Sequence, residues 1–180
     1  MLEITIPGIE LWDSRNREFI TVNAQTLQLE HSLVSLRMWE SKWCKPFISK
    51  EGKTDEETLD YIKCMTLTPG VDPMVYGCIP NDCMEKIKTY IDAPMTATTF
   101  SDTAKGKGGR EVVTAEVIYH WMISCNIPFE CQYWHLNQLI TLIRVCSIKN
   151  APPKKMSKRE IMSRNAALNE ARRKKFNTKG

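Results

Sequence analysis

Four residues with soft ligand atoms, His120, Cys125, Cys131 and His135, fall close together in the chain. Imidazole and thiolate are the donor set of a structural zinc site. Cys131 and His135 stand one helical turn apart, and the break at Asn126-Ile127-Pro128 allows the two pairs to turn toward each other. The spacing lacks the tight Cys-x2-Cys knuckle of zinc sites, however, and both cysteines sit among apolar neighbours, where a thiol behaves as a small hydrophobe. Cys78-x4-Cys83 departs from the zinc pattern further still. The expectation is core thiols, with no bound metal and no other cofactor.

Nucleophilic chemistry finds no setting either. A Cys–His pair exists, but no nucleophile stands at a strand–turn–helix elbow. Gly106-Lys107-Gly108-Gly109-Arg110 is basic and glycine-rich, yet it lacks the two glycines five apart and the Lys-Ser or Lys-Thr of a phosphate-binding loop. The acidic run Asp55-Glu56-Glu57 is explained by a helix N-terminus. No catalytic residue is assigned, and a non-enzymatic role is expected. Trp39, Trp43, Trp121 and Trp134 fall in helical stripes and are expected to pack in the core; only Trp12 sits where exposure suits it.

Charge is distributed unevenly. Residues 154–180 hold ten Lys or Arg against Glu160 and Glu170, a net +8, while the other 153 residues carry fifteen basic and nineteen acidic groups, a net −4. A basic tail on a mildly acidic body is suited to an acidic partner. Phe176 is the tail's one aromatic residue, so base stacking is not expected there. No apolar run approaches the ~20 residues of a membrane span. The start, MLEITIPGIELWD, has neither the basic nor the apolar part of a secretory signal. Seven cysteines, an odd number, fit reduced thiols in a cytoplasm-like compartment.

The elements that must position these residues follow from periodicity. Residues 1–30 alternate in short β-forming runs separated by Pro7-Gly8 and Asp13-Ser14-Arg15-Asn16, which predicts a small antiparallel β meander packed on the body. Residues 31–150 read as a helical core domain. Leu33, Leu36, Trp39 (or Glu40) and Trp43 mark one helix, closed by Pro46. The capping box Thr54-x-x-Glu57 opens a second, and Asp82–Ile91 forms a third. Thr114 caps a helix with the stripe Val117, Ile118, Trp121, Met122 and Cys125. Phe129–Ile148 is expected to be one helix of about five turns, apolar on most sides and central in the core. Residues 151–180 comprise a Pro152-Pro153 hinge and a basic C-terminal helix that opens with a second box, Ser157-x-x-Glu160. Its thin apolar face, mainly Ile161 and Leu168, leaves it marginal alone and firmer on a partner. The fold class is mainly α (α+β).

Several strings stand out together: Glu30-His31-Ser32-Leu33-Val34-Ser35, Trp39-Glu40-Ser41-Lys42-Trp43, Ile127-Pro128-Phe129-Glu130-Cys131-Gln132, and Ile148 to Ser157. From Glu30 to Gly180 the chain resembles small proteins encoded in the tail-morphogenesis region of long-tailed bacteriophages, the tail assembly chaperones. The resemblance implies transient, non-enzymatic binding of the helical tape-measure protein in the host cytoplasm while tail-tube subunits polymerise, and release before the virion is complete. Tail-tube subunits and a second copy of the chain stay open as further partners. Lys154, Lys155, Lys158, Arg159, Arg172, Arg173, Lys174 and Lys175 are the expected electrostatic contacts, with Ile161 and Leu168 as apolar anchors. Two other classes remain open: a structural subunit of the tail or connector, and a nucleic-acid-binding protein that uses the basic tail.

Overall fold

The computed structural model describes residues 1–49, 52–100, 112–152 and 157–177. The chain is mainly α, with an antiparallel β region at its N-terminus. It divides into two compact units, residues 1–148 and 149–180.

In the first unit, β1 (Leu2–Ile6) and β4 (Gln25–Leu29) pair antiparallel, with Ile4 opposite Leu27. Between them β2 (Ile9–Asp13) pairs with β3 (Glu18–Val22). The pairing is therefore nested, one long hairpin bent in the middle, rather than sequential. The bend lies at Pro7-Gly8, where a Cβ on Gly8 would come within 3.1 Å of the Ala24 nitrogen. The tip is closed by Asp13, whose carboxylate accepts from the Arg15 N–H at 2.8 Å and from the Asn16 side chain at 2.8 Å. Alternation buries Ile4 and Ile6 of β1 and Leu27 and Leu29 of β4 on one face. Ile9, Trp12 and Phe19, nearer the tip, stay exposed.

Among the described residues seven α-helices follow: α1 (Leu33–Trp43), α2 (Asp55–Met65), α3 (Pro73–Gly77), α4 (Asn81–Asp92), α5 (Ala115–Ser124), α6 (Leu136–Asn150) and α7 (Lys158–Phe176). The expected helix starts at Leu33, Thr54 and Ser157 hold, each opened by a side-chain cap. α3 was not expected from periodicity, being five residues long; Asp72 caps it and Pro73 takes its first position.

The unit has two apolar cores. One joins the sheet to α2, α3 and α4 through Ile4, Leu27, Leu29, Tyr61, Ile62, Met65, Val75 and Ile87. The other joins α5 and α6 through Ile118, Met122, Leu139 and Ile143. α1 serves both, with Trp39 in the first and Leu33 and Leu36 in the second.

The long central helix expected over 129–148 is not continuous. Phe129–Tyr133 forms a 3-10 helix, the chain extends at Trp134, and α6 starts at Leu136. A tertiary demand overrides local propensity here: the Leu136 N–H donates to the His31 carbonyl at 2.7 Å, and His135 bridges to Ser32. α6 is also not apolar-buried all round. It buries Leu136, Leu139 and Ile143 on one face, while Ile148 is exposed, as are Tyr133 and Trp134 before it. Trp134 thus leaves the core position expected of it; Trp39 holds its own.

Candidate functional site

Two features of the structure are rich in functional groups: a buried histidine joint in the first unit and the basic helix of the second.

The joint begins with His31, in the turn between β4 and α1, and His135, just before α6. Both rings are buried, and their centroids are 5.1 Å apart. A 2.6 Å hydrogen bond links His31 Nδ1 to the Tyr61 hydroxyl, which also lies 3.4 Å from the Ser35 hydroxyl. His135 Nε2 faces the Tyr90 carbonyl at 3.0 Å, and a carbonyl can only accept, so this nitrogen carries the proton. Its Nδ1 then accepts the Asn137 N–H at 3.3 Å. Those two bonds together require a neutral imidazole. Burial pushes the His31 pKa down to about 3, helped by the neighbouring His135. Burial also pushes His135 down, against the Tyr90 carbonyl that favours its charged form. Asn137 completes the joint by donating to the Ile91 and Ala93 carbonyls at 2.9 and 2.8 Å. Chemically, the network fastens the β4–α1 turn to α2, α4 and α6.

A second set of buried acids sits beside it. Glu57 meets Lys45 at 2.6 Å, which holds its carboxyl below the usual range. Asp60 is raised by burial, but bonds from Lys42 and the Trp43 indole outweigh that and leave it lowered. Glu40 accepts the Phe47 N–H at 2.8 Å with one oxygen and the Ala115 N–H at 2.7 Å with the other. It thereby caps α5 from another helix. Thr114 occupies the cap position as expected but makes no side-chain cap bond, because the carboxylate has taken the role.

The four residues weighed as zinc ligands and expected to hold no metal go separate ways. His135 is committed to the joint, Cys131 is buried in the second core, His120 pairs with Ser124 on one turn of α5, and Cys125 lies 3.9 Å from the Ser147 hydroxyl. Among the described residues no group of three or more His, Cys, Asp or Glu is placed to hold a metal. All seven cysteines are free thiols. The glycine-rich segment 101–110 lies outside the described residues.

In the second unit, α7 carries Lys158, Arg159, Arg172, Arg173, Lys174 and Lys175 together with Ile161 and Leu168, and none of its residues is buried. Lys154 and Lys155 lie outside the described residues. Ser157 accepts the Glu160 N–H at 3.2 Å, and Glu160 accepts the Ser157 N–H at 2.8 Å. At the other end Asn177 adopts a left-handed conformation and its N–H bonds the Arg173 carbonyl. Arg173, Lys174 and Lys175 occupy the last turn, where the helix dipole favours cations. At about 100° per residue, Ile161, Leu168, Arg172 and Lys175 share a sector of roughly 60°. α7 therefore presents an apolar pair followed by two cations along one line. Arg164 and the Lys174–Glu170 pair at 2.8 Å are further charged groups on the helix.

No protein-family model, curated protein or solved structure matches the chain. Among the described residues no helix is long and apolar enough to cross a membrane.

The sequence reading missed the histidine joint. Its one available signal was Glu30-His31-Ser32, a polar run wedged between the apolar ends of β4 and α1.

Proposed function

We propose that this chain is a non-enzymatic tail assembly chaperone of a long-tailed bacteriophage, which transiently binds the tape-measure protein in the host cytoplasm. The observation that carries the reading is α7: nineteen helical residues, capped at both ends and exposed along their whole length. A helix that buries nothing draws little stability from its own chain and gains it by covering a partner. Its line of Ile161 and Leu168 with Arg172 and Lys175 suits an amphipathic helix whose apolar stripe is flanked by acids. The contact is of a kind that steers association by charge and releases through a small apolar area, as a factor that leaves before the particle is complete requires. The resemblance of residues 30–180 to tail assembly chaperones supports the same partner.

Co-expression tests it. The tape-measure protein is expected to be soluble with the full chain and to lose solubility when Lys154, Lys155, Lys158, Arg159, Arg172, Arg173, Lys174 and Lys175 are neutralised together. Unchanged tape-measure solubility with or without the chain, together with many copies of the chain in mature particles, would replace this reading with a structural subunit of the tail.

A further inference from the structure

A cavity of about 310 Å3 opens between α2 and α4. Tyr61 and Ile62 form one wall, Met84, Ile87 and Ile91 the other, and Phe47 closes an end. The α4 residues follow i, i+3, i+7 spacing, so one apolar stripe faces the space. The hydroxyl of Tyr61 is already bonded to His31, and the Thr58 hydroxyl donates to the Thr54 carbonyl at 2.9 Å. Neither wall therefore offers a free polar anchor to a ligand's interior. The charged groups on the lining are Lys53, half-buried, and Lys88 and Glu85, both exposed, which sets them toward solvent.

Lys53 is the informative one. Its ammonium donates to the Phe47 carbonyl at 2.9 Å and stands 4.1 Å from the Phe47 ring centroid. Among the described residues it has no carboxylate within ion-pair distance. Burial lowers its pKa, opposed by the more distant Glu57. A half-buried cation that meets no carboxylate among the described residues is costly, and a carboxylate brought by a ligand would relieve it. Lys88 and Glu85 cancel in charge, which leaves Lys53 as the net positive group of the lining.

We propose that this cavity binds a medium-chain aliphatic carboxylate, with its alkyl tail between α2 and α4 and its carboxylate at Lys53. The site is independent of the chaperone reading and of α7.

The probes are decanoate, octanoate and decanol, titrated below their aggregation limits into the full chain, with methyl NMR of Met84, Ile87 and Ile91 as the readout. Decanoate is expected to saturate. Octanoate, two methylenes shorter, should bind about sixteen-fold more weakly, at about fourfold per methylene buried. Decanol should bind about fivefold more weakly than decanoate, the scale of one partly buried ion pair. Lys53→Gln should bring decanoate to the level of decanol and leave decanol unchanged. Met84→Trp, which fills the space, should abolish both, with its circular dichroism compared to the parent chain. Non-saturating shifts, equal binding of acid and alcohol, or a Lys53→Gln chain that still prefers the acid would each overturn the proposal. The Lys53→Gln comparison decides even if Met84→Trp fails to fold.

Discussion

α2 and α7 begin with the same device and have different fates. In both, a hydroxyl at the cap accepts the N–H three residues on, at 3.2 Å, and a glutamate reaches back to the cap's own N–H, at 2.9 Å in α2 and 2.8 Å in α7. α2 then buries Glu57, Asp60, Tyr61, Ile62 and Met65, whereas α7 buries nothing. The cap settles where a helix starts. Whether the helix contributes to a core depends on what its stripe meets: α1, α3 and the sheet-side core for α2, solvent for α7. One sequence motif thus serves a structural helix and a helix offered to a partner.

The sharpest way to break the comparison is to remove apolar bulk from each helix. Ile62→Ala should cost about 3 kcal/mol of unfolding free energy, from lost burial and the cavity left behind. Truncation after Pro153, which deletes α7 altogether, should leave the same cooperative melt in place. Urea titration of both variants checks this, and a truncated chain that collapses or melts without cooperativity would show that α7 belongs to the core after all.

Acid should separate the two helices next. His31 is held neutral in the folded chain, with a pKa near 3 against an ordinary value of 6.5. Its stabilising contribution is therefore complete above the ordinary value and is lost as pH falls below it, because the unfolded chain takes up a proton that the folded chain refuses. Between pH 6.5 and 4.5 stability should fall by up to about 1.4 kcal/mol per pH unit from this group, before the lowered carboxyls of Glu57 and Asp60 enter. Denaturation at stepped pH values measures the slope, and His31→Gln should flatten it while lowering the plateau. α7 has no histidine, so its helix content should hold across this window.

The smallest effect tests the caps themselves. Thr54→Ala should cost about 1 kcal/mol of global stability. Ser157→Ala, the same change, should lower the helical signal of α7 and leave the denaturation midpoint of the first unit where it was. Equal shifts in that midpoint would mean that the two caps do the same job.

Legibility followed the range of the forces involved. The caps at Thr54 and Ser157 and the turn at Asp13 act within four residues, and the sequence displays them whole. The alternation of β1 and β4 was visible too, but their nested pairing depends on Gly8 letting two backbones approach. Over 129–148, periodicity promised one helix because Tyr133, Leu136, Ile140 and Ile143 keep the right spacing. The break at Trp134 answers to His31, more than a hundred positions earlier, and no local pattern encodes that. Glu40 lay in an apolar stripe, a sign that its carboxylate had buried work; its target, the Ala115 N–H, is 75 residues away. The histidine joint was invisible for the same reason. α7 was legible because nothing from the rest of the first unit's packing has to be known to describe it.

α1 has faces in both cores, and that sharing bears on how the first unit comes apart. Two apolar cores of comparable size, joined only by chain, would melt as two events. Here unfolding the sheet-side core strips the cover from Trp39, which loosens the helix that carries Leu33 and Leu36 into the other core and frees the Glu40 carboxylate from the start of α5. Opening from the α5–α6 side exposes the same helix from behind. Each core is part of the other's solvent shield, so partial unfolding forfeits stabilisation on both sides of α1. The two cores are therefore expected to unfold in one transition.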